Sequence, residues 1–426
     1  MIRALTPVAA LLFGTAILLT GQGLQGTLLP VRATLEDFST ISIGLMGAAY
    51  FLGFTYGCWK GSELIRRVGH VRVFAAMTAI ASAAPLLHGL WVSPWLWSSL
   101  RFVSGFCFAV LYLVIESWLN ERSTNDNRGT VFSAYILINM TVLGVGQQVL
   151  LFYDPLSLHL FALASVLVSL AAVPVVLSKS ENPQAIEETK IDLRYLYKNS
   201  SVGMLGSMSC GLTNGSFWAL APVFSVAHSD DISLTANFMT AVVFGGAIGQ
   251  WPLGWLSDQM DRRIVLVGIS LAGVIIGAAM WLLESELSSA SIIMLAAMWG
   301  AVAFPVYSIS VAHANDRSDH GRFVMVSAGL LLMYGIGAII GPFIASTMMS
   351  IGNPGNLFLF TAIVHLLLAI YVFTRSIFRT QASESEHTPF SDALASTQTK
   401  SQIYEDELER ELLDDPAGPG SGSPLN

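Results

Sequence analysis

Charge is what this sequence has least of. Only 12% of its 426 residues are Asp, Glu, Lys or Arg, about half the ~25% of a typical soluble domain. A water-facing surface of this size cannot be built from so few charges. A soluble enzyme is therefore excluded, and lipid is the solvent the sequence implies. Cysteine is scarce as well. Cys58, Cys107 and Cys210 each lie in an apolar stretch, without metal-ligand or redox spacing, and read as small buried hydrophobes. His88, His159, His228, His313 and His365 mostly fall at the ends of apolar runs and show no metal spacing. No phosphate-binding loop of the Gly-x-x-x-x-Gly-Lys-Ser/Thr kind is present, which argues against a built-in ATPase. No basic patch points to nucleic acid. Neither a metal nor a cofactor is expected.

What the sequence does hold is hydrocarbon: 53% of its residues are hydrophobic, and its mean hydropathy is +0.61. A spanning helix needs about 20 mostly apolar residues. Such runs lie near 6–29, 41–59, 73–92, 95–118, 130–152 and 158–177, and again near 202–226, 233–256, 264–284, 288–313, 323–350 and 356–376. The first is too long for a signal-peptide core and reads as a retained helix. The expectation is an all-α integral membrane fold of twelve transmembrane helices in two six-helix bundles, over 1–177 and 202–376. A polar linker (178–201) joins the bundles, and an acidic tail follows (377–426). From Thr380 onward there are ten acidic and two basic residues, whereas the rest balances nineteen of each sign. That composition reads as a disordered tail, in which Tyr404 to Leu413 has the pattern of a short helix.

Loop lysines and arginines orient such a chain. Seventeen lie on the side that holds both termini and the linker, and only Arg32 lies on the other. Both termini and the linker are therefore expected to be cytoplasmic, in a multi-pass protein of the inner (plasma) membrane.

The two halves echo each other. Tyr112-Leu-Val-Ile-Glu-Ser-Trp-Leu-Asn-Glu-Arg122 aligns with Tyr307-Ser-Ile-Ser-Val-Ala-His-Ala-Asn-Asp-Arg317, matching the Tyr, the Asn, an acid and the Arg. Gly23-Leu-Gln-Gly-Thr27 resembles Gly211-Leu-Thr-Asn-Gly-Ser216, and Pro30 and Pro222 follow. Repeated six-helix halves suit a transporter, because two similar bundles can rock about a midplane site. The competing class is a membrane sensor or receptor that signals through the acidic tail.

Between the eighth and ninth helices stands Gly254-Trp-Leu-Ser-Asp258-Gln-Met-Asp-Arg262-Arg263. It resembles the Gly-x-Leu-x-Asp-Arg-x-Gly-Arg-Arg loop of the major facilitator superfamily. Gln259 and Asp261 depart from that pattern. The resemblance implies a gating role for Gly254, Asp258, Arg262 and Arg263. In it the glycine permits close helix approach, the aspartate faces a helix N-terminus and the arginines face the cytoplasmic surface. The first-half copy, Ser62 to Arg72, departs further, with Arg66 where the family has its aspartate. Leu100-Arg101-Phe-Val-Ser-Gly105 resembles the family's Arg-x-x-x-Gly motif, which is associated with proton coupling. Gly337-Ala-Ile-Ile-Gly341-Pro342 is a small-residue packing pattern of the kind the family's exporters carry in helix five. The resemblance covers residues 1 to about 376. Gly-Gln-Trp-Pro-Leu-Gly-Trp-Leu-Ser-Asp258, Glu116-Ser-Trp-Leu-Asn-Glu-Arg122 and Arg67-Val-Gly-His-Val-Arg72 are similar, more narrowly, to the bacterial YcaD-like permeases.

Two residues are candidates for coupling. Arg101 sits several residues into a span, where a charge is costly and usually faces the bundle interior; the alternative is that it snorkels to the outer surface. Glu116 is the one carboxylate inside an expected span rather than at its last residue, where Glu284 falls. It either carries a coupling proton or pairs with loop arginines such as Arg122. At fifteen residues apart, roughly 22 Å along a helix, the two cannot pair with each other. The candidate binding residues are the polar ones at mid-span. Helix one offers Gln22 and Gln25, helix seven offers Asn214 and Trp218, helix five offers Asn139, and helix ten offers Tyr307. Amides in hydrocarbon need partners, so these side chains either bond between helices or line one binding cavity. The expected partners are the bilayer, protons and a small-molecule solute, neutral or anionic rather than a polyvalent cation. The protein is expected to be a monomer.

Overall fold

The computed structural model describes residues 8–123, 127–177, 191–318 and 322–378. The tail with Tyr404 to Leu413, and most of the expected linker, lie outside them. The described chain has no strand and folds into twelve long helices. In the first half these are α1 (Ala9–Leu35), α2 (Thr40–Val68), α3 (His70–Leu90), α4 (Pro94–Glu121), α5 (Arg128–Gln148, continued by a 3-10 turn to Phe152) and α6 (His159–Leu170 with Ala172–Val176). In the second half they are α7 (Leu193–His228), α8 (Ile232–Gln259), α9 (Arg262–Leu282), α10 (Ser289–Ala303 with Pro305–Asn315), α11 (Phe323–Ile351) and α12 (Asn356–Phe378).

Eleven of the twelve are long and apolar enough to cross a membrane. The exception is α7, which carries Gly206, Ser207, Gly211, Thr213, Asn214 and Ser216 along its buried length. Neighbouring helices rather than lipid surround it, so close backbone approach replaces hydrophobicity as the requirement. Exposed tryptophans mark the two water–lipid levels expected of a spanning bundle. Trp95 lies at one level and Trp251 and Trp255 at the other; Trp95 and Trp251 are each 81% exposed.

Side-chain caps start several helices. Ser39, Asp192, Asp231 and Ser288 accept backbone N–H bonds at the starts of α2, α7, α8 and α10, satisfying donors a helix leaves open. Between α2 and α3 the chain turns through Gly69 at φ 93°, a conformation that favours glycine.

Several helices differ from expectation. α2 runs to Val68 rather than ending near 59, because Glu63 pairs with Lys60 (3.2 Å) and with Arg67 on its own helix. Charge ended the apolar run without ending the helix. α7 begins at Leu193, inside the expected linker, and its path breaks at Ser200 (φ −138°, ψ 73°). α10 is interrupted before Pro305, which has no backbone N–H to give. His365 lies in the middle of α12 rather than at a helix end.

The core shows how the halves are joined. At the end carrying the α1–α2 and α7–α8 loops, one apolar cluster draws on both halves, from Leu24, Leu28, Ile43 and Met46 to Phe217, Leu220, Phe238 and Met349. At the opposite, arginine-rich end there are two clusters. One holds first-half residues such as Ile65, Phe74, Leu111 and Val131, and the other holds second-half residues such as Leu266, Ile309, Val326 and Val372. The halves are thus fused at one end and divided at the other. At the fused end α2 meets α11, with Gly44 against Ser346 and Pro342 and Gly47 against Ala219 of α7. There Gln148 of α5 also donates to Thr240 (2.7 Å) and Asn237 (3.3 Å) of α8.

The sequence repeat has a structural counterpart. In the first half, Gly53 of α2 lies against the Phe102 carbonyl and Gly105 of α4 against the Tyr50 carbonyl. In the second half, Gly245 of α8 lies against the Ala297 carbonyl and Gly300 of α10 against the Val242 carbonyl. A side chain at any of these four positions would strike backbone. Both halves therefore cross their second and fourth helices through the same paired glycines.

Candidate functional site

Where the halves divide, they enclose a cavity of about 350 Å³, within the range of small-molecule sites. It is lined from α1, α2, α4 and α5 on one side and α7, α8, α10 and α11 on the other. Gln22, Gln25, Asn139, Asn214, Trp218 and Tyr307 all contribute to its wall. The helices that carry them lie in both halves, so the cavity exists only between the two.

These residues are not equivalent. Gln22 is bonded within the first half: its Nε2 donates to the Tyr50 hydroxyl (2.9 Å), and its Oε1 accepts from the Tyr112 hydroxyl (2.8 Å). It braces two aromatic rings. Gln25, one turn further along α1, is only 2% exposed and has neither its Nε2 nor its Oε1 hydrogen-bonded. A buried amide left open costs on the order of 1–3 kcal/mol, so this residue has capacity directed at something the fold itself does not supply. On the opposite wall Asn214 donates to the Cys210 sulfur (3.3 Å). Tyr307 meets Tyr334 edge-on with centroids 5.3 Å apart, and Trp218 lies 6.2 Å from Phe304. Asn139 lines the cavity from α5 and is largely buried.

Arg101 faces this cavity and does not snorkel outward. Its guanidinium carbon lies 4.1 Å over the ring of Tyr50. The glycine crossing of α2 and α4 makes this possible, since Gly105 brings α4 against the carbonyl of Tyr50 itself. Arg101 and Gly105, four residues apart, share one helix face.

A family model described as Major Facilitator Superfamily matches residues 203–413. An uncharacterised MFS-type transporter, YcaD of Salmonella arizonae, is 28% identical over 364 residues, covering 85% of this chain and 94% of the relative. Among solved structures, the nucleoside transporter NupG superposes with a TM-score of 0.74 at 14% identity, covering 87% of this chain and 99% of that one. A bacterial homologue of the lysosomal transporter Spinster, inward-facing and occupied, gives 0.71 at 15% identity, covering 89% and 97%.

In sequence the chain is similar to the major facilitator superfamily over its second half and to an MFS-type transporter over most of its length. It is a multi-pass membrane protein with that superfamily's twelve-helix fold, and the family's members act as membrane transporters.

The superfamily loop between α8 and α9 differs in detail from its expected layout. Arg262 and Arg263 do not face the surface; they are 1% and 4% exposed. Each is held by carboxylates. Arg262 Nε donates to Asp316 at the end of α10 (2.6 Å), and Nη1 donates to Asp258 (3.1 Å) and to the Ser257 hydroxyl (3.1 Å). Arg263 is clamped by Asp261 (2.6 Å). Partial burial raises the Asp261 carboxyl, but its hydrogen bonds from Arg263 outweigh that, and it titrates below the usual aspartate range. A depressed carboxylate contributes stability at neutral pH that is lost as pH falls through its folded-state value. Gly254 is buried in α8, close to this knot. The departure at Asp261 is thereby explained: the residue in the family's glycine position supplies a counter-charge. Asp316 was visible only as the acid that the repeat matches to Glu121.

Glu116 lies away from the cavity wall. It is buried on α4 and accepts a bond from the Tyr135 hydroxyl (3.3 Å). Among the described residues it forms no ion pair with Arg122. Beyond Trp218 and Tyr307, sequence reasoning missed the aromatic wall of Tyr50, Phe54, Tyr112 and Tyr334, and also Gln147 and Gln250, all of which line the cavity. Gln147 accepts a bond from the Thr27 hydroxyl.

Proposed function

We propose that the protein is a secondary active transporter, without enzymatic activity, that carries a small solute across the inner membrane by alternating access. The observation that carries this reading is Gln25. A buried amide with neither polar atom bonded, lining a cavity formed between two halves that are fused at one end only, is an arrangement for a ligand that comes and goes. The solute sits between Gln25 on α1 and Asn214 and Trp218 on α7, with Asn139 and Tyr307 beside them and Gln22 holding the aromatic frame. The fused end stays shut while the arginine-rich end gives access, and the fused end opens in the alternate state. Likeness to an inward-facing Spinster homologue supports this. The charged knot at Gly254, Asp258, Arg262 and Arg263 stiffens the second half and sets the balance between the two states. Counterflow of solutes in proteoliposomes tests the proposal, which is abandoned if no solute exchanges faster than in empty vesicles.

Transport is coupled to protons, with Glu116 as the group that titrates and Arg101 as the fixed charge of the cavity. Glu116 keeps Tyr135 as its hydrogen-bond partner within the first half. The Glu116→Gln variant is expected to lose accumulation driven by a pH gradient and to keep solute exchange. Gradient-driven accumulation at the wild-type level in that variant would assign Glu116 to structure alone. The protein works as a monomer.

Both termini face the cytoplasm: the start of α1 and the end of α12, which lead to them, are at the arginine-rich end. A reporter active only outside the cytoplasm, fused after Asn426, is expected to give no signal. A strong signal there would invert the orientation.

A further inference from the structure

The charge balance of the cavity points to a narrower class of solute, an inference that rests on the transporter reading above. Among the described residues lining the cavity there is one formal charge, Arg101, and there is no carboxylate, lysine or histidine. Its burial is partial, and its close partner is the Tyr50 ring. A cation–π contact uses the face of a guanidinium and leaves its N–H edges free. Among the described residues nothing accepts from them, so the five donors of a planar fork stand in a low-dielectric cavity without an acceptor. The repeat sharpens the point. Gly105 of the first half corresponds to Gly300 of the second, and the position matching Arg101 is Ala296, which is fully buried. The duplicated scaffold carries its cation in one copy only, so no compensating charge arrives from the other half.

The rest of the wall is flat and apolar. Tyr50, Phe54, Tyr112, Trp218, Tyr307 and Tyr334 present rings from both halves. Their hydroxyls and the amides between them offer neutral hydrogen bonds. Gln25 adds one open donor and one open acceptor.

We propose that the cavity takes a monoanionic solute with a flat, apolar body, its carboxylate or equivalent planar anion on Arg101 and a polar edge on Gln25. The anion supplies the acceptors the guanidinium lacks, in the two-bond geometry that a carboxylate and an arginine share. The rings take the body between them. Dianions leave one charge unmatched in the cavity, and amines place a second cation beside Arg101.

The test uses the full-length protein with Gly26→Cys as a reporter. Gly26 lines the cavity, and a side chain there meets open space. Protection of this cysteine from a water-soluble maleimide reads cavity occupancy. The probes share one aryl body and differ in one group: an aryl carboxylate, its primary amide and its amine, together with acetate and sodium phosphate. The aryl carboxylate is expected to protect at a concentration about tenfold lower than its amide or amine, the size of one charge-assisted contact. Acetate and phosphate are expected to protect at least about tenfold less well than the aryl carboxylate. Adding Arg101→Gln should bring the carboxylate-to-amide ratio to about one while the amide still protects, and Arg101→Lys should keep a preference for the carboxylate. Retained amide protection shows that Arg101→Gln is folded. Three outcomes overturn the proposal: equal protection by carboxylate, amide and amine; protection by phosphate as strong as by the aryl carboxylate; or a carboxylate preference that survives Arg101→Gln. A neutral or cationic solute that exchanges in vesicles and protects better than any carboxylate would sink the charge assignment and leave the transporter standing. If no solute of any class protects the cysteine, both fall.

Discussion

Replacing Asp316 by alanine is expected to lower stability by about 3–5 kcal/mol, because it leaves a buried arginine without its main counter-charge. Arg262 is 1% exposed, and the Asp316 side chain is 3% exposed at 2.6 Å. The same guanidinium also holds Asp258, but at 3.1 Å and with that side chain 36% exposed. Water already solvates much of that carboxylate, and such pairs contribute about 0–1 kcal/mol. Asp258→Asn should therefore leave stability nearly unchanged and slow transport, since its effect falls on the balance of states rather than on the fold. Thermal unfolding in one detergent, run on both variants beside the wild type, separates the two carboxylates. Similar melting temperatures for Asp316→Ala and the wild type would show that Arg262 finds another counter-charge. Asp258→Asn transporting at the normal rate would remove that loop from gating.

Gln25→Ala should weaken solute binding by about 1–3 kcal/mol, the loss of a buried polar contact, while the empty protein unfolds at or above the wild-type temperature. The sign of the second effect is what distinguishes a binding residue from a structural one. In the empty protein neither polar atom of Gln25 has a partner, so truncation removes a desolvation cost and breaks no bond. Residues held ready for a ligand commonly trade stability in this way. Gln22 provides the contrast. Its amide bonds Tyr50 and Tyr112, so Gln22→Ala should destabilise the empty protein by about 1–2 kcal/mol, the worth of two such bonds. Ligand-dependent melting curves read both quantities in one experiment. If Gln25→Ala binds a verified solute normally, or destabilises the empty protein as Gln22→Ala does, Gln25 is a packing residue.

The twelve-helix fold was legible because lipid permits few solutions: each crossing needs its own long apolar run, and loop arginines gather on one side. α7 was found despite its polarity because Asn214 and its glycines sit between clearly apolar stretches. Helix ends were not legible. The charged residues from Lys60 to Arg67 end the apolar run of α2, yet they pair along the helix and extend it. Most amides of the cavity stood out, since amides in hydrocarbon are conspicuous; Gln147 and Gln250 did not. Of its rings only Trp218 and Tyr307 stood out; Tyr50, Phe54, Tyr112 and Tyr334 did not, because an aromatic residue serves lipid as readily as a ligand. Nor did the sequence separate Gln22 from Gln25. They share a helix face, and only the positions of Tyr50 and Tyr112 decide which of them is satisfied. The burial of Arg262 was missed for a related reason. A charged loop looks solvated until its counter-charge, 54 positions along the chain, is brought beside it.

The two ends of the molecule should respond to different properties of their surroundings. The fused end is held mostly by hydrocarbon and small-residue contact, with Gln148 as a hydrogen-bonded bridge. Salt does little to such a joint, but cooling weakens it, because the drive to keep apolar surface from water fades at low temperature. At the arginine-rich end the pair of Arg262 with the partly exposed Asp258 is open to screening, which at physiological ionic strength acts over about 8 Å. Temperature and ionic strength thus act on opposite faces of the membrane: a chill loosens one side of the molecule, and brine loosens the other.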